Sequence, residues 1–168
     1  EVNDEKIGSS DTPAVVVEHL TKRYGKVVAV RDVSFTVPRG EFFGYLGTNG
    51  AGKTTTIKVI AGLLPADYER IIVDGIDLRA DPLAVKARIG VMLEEPPLYE
   101  RLTGYEFLEF VGGMYGLDGV ALKRRVIELI DLIDLAEDAG KLIIDFSRGM
   151  RGKIALAAAL IHRPRVLF

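Results

Sequence analysis

The chain has 168 residues, 48% hydrophobic and 27% charged, which is length and composition enough for a globular domain with one sizeable core. A net charge of −2 gives no electrostatic case for nucleic acid as the main ligand, and with no cysteine there is no disulfide framework, which suits a reducing compartment. No apolar stretch reaches the roughly 20 residues that span a bilayer and no signal peptide is visible, so any membrane role is expected to come through a partner.

Residues 1–13 are polar and lack periodicity, which predicts a flexible tail, and an opening Glu1 instead of Met suggests a processed or trimmed start. Ala14–Glu18 and Val33–Val37 read as strands around a turn at Tyr24-Gly25-Lys26. After the punctuation of Pro38-Arg39-Gly40, Glu41–Leu46 reads as a short buried strand. A helix is expected over Thr54–Ala61, with Val59, Ile60 and Leu63 forming its apolar side. Arg70–Val73 is a further strand closed by the turn pair Asp74-Gly75, and Asp81-Pro82 starts a short helix to about Arg88. Ile89–Met92 reads as a buried strand.

The pattern changes after Glu94. Beyond a loop at Glu95–Tyr99, Thr103 and Glu106 have the spacing of a capping box. Phe107, Leu108, Val111 and Tyr115 share one face of the helix that follows, and Gly116 is its expected stop. Leu122, Val126, Leu129, Ile130 and Ile133 mark a second amphipathic helix, with Arg124, Arg125 and Glu128 expected on a solvated face. The stretch from about 95 to 145 is therefore expected to be helical, and another helix should run from about Arg151 to His162. His19 and His162 read as structural or solvated residues.

Between the strand at 41–46 and the helix from Thr54 lies Gly47-Thr48-Asn49-Gly50-Ala51-Gly52-Lys53-Thr54-Thr55, which fits the phosphate-loop pattern G-x-x-x-x-G-K-[ST]. Two fixed glycines arise by chance in roughly one window in two hundred, and the required Lys and Ser/Thr make an accident much rarer. Strand, glycine loop and helix are also the setting the motif needs. Gly50 and Gly52 let the backbone take positive φ and approach phosphate closely, while the helix start aims unpaired N–H groups at the same anion. Lys53 is placed to bridge the β and γ phosphates, Thr54 offers a hydroxyl to Mg²⁺, and Thr55 can donate near the α-phosphate. Further on, Ser147 in Phe146-Ser147-Arg148-Gly149-Met150 is a natural N-cap and Gly149 permits close approach at a helix N-terminus. Local sequence leaves two readings open there, an ordinary capped helix or an anion site.

From about Ala14 onward the chain resembles the ATP-binding cassette (ABC) transporter ATPases. Gly47–Thr55 matches the family's Walker A motif, and Phe146–Met150 matches the signature usually written Leu-Ser-Gly-Gly-Gln. Tyr24 falls where the family places an aromatic that stacks on adenine, and Glu94 falls at the Q-loop position. Ile89–Tyr99, Asn49–Thr56 and Tyr115-Gly116-Leu117 look like the drug-export branch. The resemblance implies an α/β P-loop NTPase core with an N-terminal antiparallel β-subdomain and an α-helical subdomain. Residues 14–94 would form the β-rich and P-loop core, 95–150 the helical subdomain with the signature, and 151–168 the signature helix and the start of the Walker B strand.

The resemblance further implies ATP and Mg²⁺ as ligands, the metal held by Thr54 and Glu94. In the family each ATP lies between the Walker A loop of one subunit and the signature of another. Ser147, Arg148, Gly149 and Met150 would therefore meet nucleotide held by a second ATPase subunit, a copy or close paralogue. A transmembrane permease subunit is the other implied partner, which places the protein in the cytoplasm, peripheral on the inner face of the cell membrane, with no nucleic acid expected. Four departures stand out: Glu94 replaces the usual glutamine, Arg148 and Met150 replace Gly and Gln, and Gly152 stands where a polar helix former is common. Arg165–Phe168 looks like the opening of the Walker B strand, so the general base, the second metal-linked carboxylate and the switch histidine are expected beyond Phe168, leaving Lys53 and Glu94 as the catalytic candidates here. The leading expectation is the ATP-binding subunit of an exporter; the alternatives are a soluble, non-transport ABC ATPase and a nucleotide-binding fragment without turnover.

Overall fold

The computed structural model describes residues 12–168, so the expected tail lies outside the described residues except at Thr12 and Pro13. The chain forms two compact units that meet in sequence at Val85 and Lys86.

The first unit is built on long β-branched runs. β1 (Val15–Tyr24) and β2 (Val27–Val37) form an antiparallel hairpin closed at Gly25, where φ is +57°. β3 (Arg70–Val73) pairs with the other edge of β1, and β4 (Ile76–Asp77) returns through Asp74-Gly75, giving a four-stranded sheet in the order β2-β1-β3-β4. Both residues of that two-residue turn have positive φ, as a tight hairpin requires. The buried face comprises Val15, Val17, Leu20, Val30, Ile71 and Val73. The β1–β2 register shifts between Val17 and Leu20, where His19 and, on β2, Asp32 take positive φ and the His19 Nδ1 lies 2.7 Å from Asp32 Oδ1. That carboxylate raises the His19 pKa, its hydrogen bond being the largest cause.

α1 (Lys53–Ile60) follows the glycine loop and buries Thr56, Val59 and Ile60. Leu63 does not join them. The helix ends at Ile60, Gly62 turns the chain at φ +67°, and Leu63 is left half exposed. Nor does Glu41–Leu46 form a buried strand. No ladder partner lies beside it among the described residues, and a segment without one has nowhere to place its backbone hydrogen bonds but water. It is held instead by aromatic stacking on β2: the Phe35 ring lies 5.3 Å from Phe43 and 5.7 Å from Tyr45. Phe42 and Leu46 are exposed.

α2 (Pro82–Arg88) leads into the second unit, where β5 (Ile89–Gly90) pairs in parallel with β6 (Val166–Leu167). The expected strand to Met92 is cut to two ladder residues, although Met92 N–H still donates to Phe168 O; Met92 itself is exposed. α3 (Gly104–Met114), α4 (Gly119–Leu132) and α5 (Arg148–Leu160) pack around Phe107, Leu108, Val126, Leu129, Ile130, Ile143, Phe146, Ile154 and Ile161. At the start of α3 the capping box is present in full: Thr103 Oγ1 accepts from Glu106 N–H and Glu106 Oε2 accepts from Thr103 N–H at 2.8 Å. The Thr103 N–H and, at 2.9 Å, the Thr103 hydroxyl both donate to that carboxylate and hold the Glu106 pKa below its ordinary value. α5 begins at Arg148, three residues before the expected start, because the Ser147 cap is already engaged.

One polar residue of α4 is not solvated as expected. Arg125 lies mostly covered and donates to Ile161 O at 3.2 Å and Leu160 O at 2.7 Å, satisfying carbonyls left over at the end of α5. Beside it, His162 stacks on Tyr115 with ring centroids 3.8 Å apart and its Nε2 lies 2.8 Å from Ile89 O. Its Nδ1 finds no hydrogen-bond partner among the described residues. Burial, aided by Arg125, pushes the His162 pKa down against the Ile89 hydrogen bond. Among the described residues no helix is long and apolar enough to cross a membrane.

Candidate functional site

The glycine loop belongs to the first unit, and its shape is set by backbone constraints. Gly50 has φ +83° and Gly52 φ +86°. They differ in surroundings: a Cβ on Gly50 would meet nothing within 4 Å, whereas one on Gly52 would lie 2.2 Å from Ala29 O of β2. Gly52 is therefore required twice over, for its conformation and for the contact that seats the loop on the sheet. It is also the N-cap of α1 and supplies no side-chain cap, leaving the first amides of the helix to an outside acceptor.

Lys53 folds back over this loop, its Nζ donating to Gly47 O at 2.7 Å and Thr48 O at 2.8 Å. Thr48 O also accepts from Ala51 N–H at 3.2 Å, which closes the turn. Gly47, Thr48, Asn49, Gly50, Ala51 and Thr54 are all exposed, and Lys53 and Thr55 are partly so. Thr56 is the exception: fully buried, it donates to Gly52 O at 3.0 Å and lies 3.5 Å from the Tyr45 hydroxyl, so it braces the loop from below. Sequence reading did not single out Thr56, whose role depends on contacts that spacing alone does not reveal. The loop thus combines two left-handed glycines, an uncapped helix start and one ammonium folded over it, a combination that suits a phosphate chain.

Tyr24 ends β1 in the same unit, its ring about half exposed with the Lys22 Nζ 5.0 Å from the centroid. Glu94 lies in the second unit, exposed in a bend after β5. Among the described residues no group of three or more His, Asp or Glu side chains could hold a metal ion. Thr54 carries an exposed hydroxyl and Glu94, in the other unit, an exposed carboxylate, each an oxygen donor of the type that Mg²⁺ takes.

The segment Phe146–Met150 is divided by burial. Phe146 is buried and Met150 packs against the helical core, so these two anchor the segment. Ser147, Arg148 and Gly149 between them are exposed. Ser147 Oγ accepts from Met150 N–H at 3.3 Å, and Ser147 O accepts from Arg151 N–H at 2.9 Å. A hydroxyl used as an acceptor keeps its own proton to donate, so the cap leaves Ser147 able to bind an anion at the start of α5.

The chain is similar to known proteins over most of its length. A family profile described as ABC transporter matches residues 30–168. Among curated proteins the chain is 43% identical over 150 residues to the linearmycin resistance ATP-binding protein LnrL of Bacillus subtilis, covering 89% of this chain and 48% of that protein. It is 44% identical over 142 residues to the ABC transporter ATP-binding protein NatA of the same organism, covering 84% of this chain and 58% of the other. A third relative, the daunorubicin resistance ATP-binding protein DrrA3 of Streptomyces coeruleorubidus, is 40% identical over 155 residues, covering 92% and 49%. A solved structure of the ATP-binding subunit of an ABC transporter superposes with a TM-score of 0.81 at 32% identity, covering 92% of this chain and 64% of that one. The chain spans about half the length of the curated relatives it matches.

Proposed function

The chain belongs to the ABC transporter family, and from that premise we propose that it forms the ATP-holding portion of a subunit that powers a membrane exporter. The observation that supports this reading is the seated loop: two positive-φ glycines, one pressed against Ala29 O, below a lysine whose ammonium donates to two main-chain carbonyls. Export as the direction rests on relatives named for resistance to linearmycin and daunorubicin.

Lys53 would exchange two neutral carbonyl acceptors for phosphate oxygens and so gain the attraction between opposite charges. The amides at the start of α1 complete the cradle, and Tyr24 offers an exposed ring for the adenine base. Mg²⁺, when bound, would neutralise phosphate charge, with the Thr54 hydroxyl as its ligand from the loop. Ser147 and the exposed backbone at Gly149 would donate to the terminal phosphate held by Lys53 of a second ATPase subunit. Contacts made only when both subunits close on nucleotide favour the closed pair, and loss of the terminal phosphate removes them. A membrane-embedded permease would receive that motion, which puts the subunit on the cytoplasmic side of the membrane.

The test is a pair of substitutions in the full-length protein. Lys53→Ala is expected to abolish measurable Mg-ATP binding by calorimetry with the far-ultraviolet circular dichroism unchanged. Ser147→Arg should spare that binding and abolish ATP-driven dimerisation in sedimentation. Unchanged affinity in the first variant, or normal dimers in the second, refutes the reading.

A further inference from the structure

From the contacts of one guanidinium we infer that Arg151, held by Glu100, is a positioning residue that fixes the Ser147–Gly149 anion site and ties it to the segment following Glu94. The inference rests on the proposed role of that site. Arg151 lies one turn into α5, and its fork reaches back to the residues just before Ser147 and across to Glu100. Nη1 donates to Glu100 Oε1 at 2.8 Å, Nε to Phe146 O at 3.3 Å, and Nη2 to Ile144 O at 3.3 Å. Two of these acceptors are main-chain carbonyls in the short run-up to Ser147, so the side chain closes a ring around the peptide that delivers the cap. The planar five-donor guanidinium can serve three acceptors at once, which a lysine ammonium at the end of a flexible stem does not reproduce.

The same two segments are already laced by backbone. Ile144 N–H donates to Glu100 O at 3.0 Å and Ile143 N–H to Leu102 O at 2.9 Å, while Thr103 and Leu142 form an antiparallel bridge. Glu100 therefore meets the 142–146 strip through both its main chain and its carboxylate. Ile143 and Phe146 beneath are buried, which keeps the strip from sliding. The Glu100 carboxylate and the Arg151 guanidinium are both part-exposed, at 49% and 33% of the side chain, so the pair adds little to global stability. A role in geometry explains better why the fork is spent on carbonyls beside Ser147. Displacement of the 94–102 segment would be carried to the Ser147 cap through this link.

The experiment uses the full-length protein, a non-hydrolysable Mg-ATP analogue and three variants: Glu100→Gln, Arg151→Gln and the double substitution. Calorimetry gives analogue affinity of the monomer, and sedimentation gives the analogue concentration that drives half of the protein into dimers. Monomer affinity is expected to stay within about twofold, while the half-dimerisation concentration rises about tenfold in each single variant, the scale of one lost charge-assisted bond. The double variant should be no worse than Arg151→Gln, because both substitutions cut one link. Arg151→Lys should also fail, since it keeps the charge and loses the fork. Dimerisation unchanged in either single variant, or a double effect equal to the product of the singles, overturns the inference. Glu100→Gln alters an exposed side chain and carries the test even if Arg151→Gln does not fold. If the unaltered protein binds the analogue but never dimerises, the reading on which the inference rests falls instead, and the inference with it.

Discussion

Substituting alanine at Gly50 and at Gly52 separates two demands that the phosphate loop makes on its glycines. Both residues have φ near +85°, at +83° and +86°, so an alanine at either pays for a left-handed backbone, about 1–2 kcal/mol. At Gly50 the new methyl group enters open space, and the cost should stop there. At Gly52 it would stand 2.2 Å from Ala29 O, with the Val30 side chain 3.0 Å away, so either the loop or β2 must shift by about 1 Å. Main chain cannot swing aside as a lysine tip can, and overpacking of this kind adds about 1–3 kcal/mol. Urea denaturation should therefore place Gly52→Ala below Gly50→Ala by about 0.5–1.5 M in midpoint, for a slope of about 2 kcal/mol per molar. Nucleotide affinity should follow the same order, because a displaced Gly52 moves the first amides of α1. Equal midpoints for the two variants would show that the loop is not seated on Ala29 and would refute the reasoning.

Three further outcomes follow from the second unit and the sheet. Thr103→Ala removes one half of the capping box and should cost about 1 kcal/mol, seen as an earlier chemical unfolding midpoint with α3 still helical by circular dichroism. Leu108→Ala leaves a cavity in a fully buried site and should cost about 2–5 kcal/mol; a loss under 1 kcal/mol would mean the site collapses or is not the core. For His162, burial holds the pKa below the ordinary value of about 6.5, so the neutral form contributes stability fully present above pH 6.5 and lost as the pH falls below it. Arg125 facing the ring opposes charging and Tyr115 stacks on it, so His162→Asn, which can still donate to Ile89 O, should flatten the loss of stability between pH 7.5 and 5.5. An acid limb as steep as before would argue against it. His19 acts with the opposite sign: Asp32 raises its pKa, so its contribution is present below about 6.5 and fades as the pH rises, which makes His19→Gln the control.

What sequence made legible was what neighbours in sequence decide. Thr103 and Glu106 are three residues apart, so their reciprocal capping is visible in the letters, and the bonds form as written. The glycines of the loop, the turn at Asp74-Gly75 and the stop at Gly116 are of the same kind, each a φ requirement met on the spot. The misreadings share the reverse property. Glu41–Leu46 has a strand's composition, yet a strand exists only where a second one supplies the other half of each hydrogen bond. Arg125 looked solvated because its helix face is polar, but its partners are 35 and 36 residues away at the end of α5. Leu63 fits the helical period but lies beyond the point where Gly62 turns the chain.

The two elements proposed to bind nucleotide fall on the local side of that division, and this bears on how nucleotide would act. The cradle at 47–55 is shaped by Gly50 and Gly52 and braced by Thr56; the cap at 147–150 is shaped by Ser147 and anchored by Phe146 and Met150. Each is shaped by contacts within its own few residues, so on the proposed function ordering it would take little of the binding energy and leave most for bringing two subunits together. The exception is Lys53, whose ammonium must leave Gly47 O and Thr48 O before it can meet a phosphate. Those two carbonyls act as a stand-in for the anion, keeping the side chain over the loop and sparing part of the rotamer entropy that a free lysine would lose on binding. A lysine already in place costs less to recruit than one waving in water, which is an advantage in affinity that no contact list for the bound state would reveal.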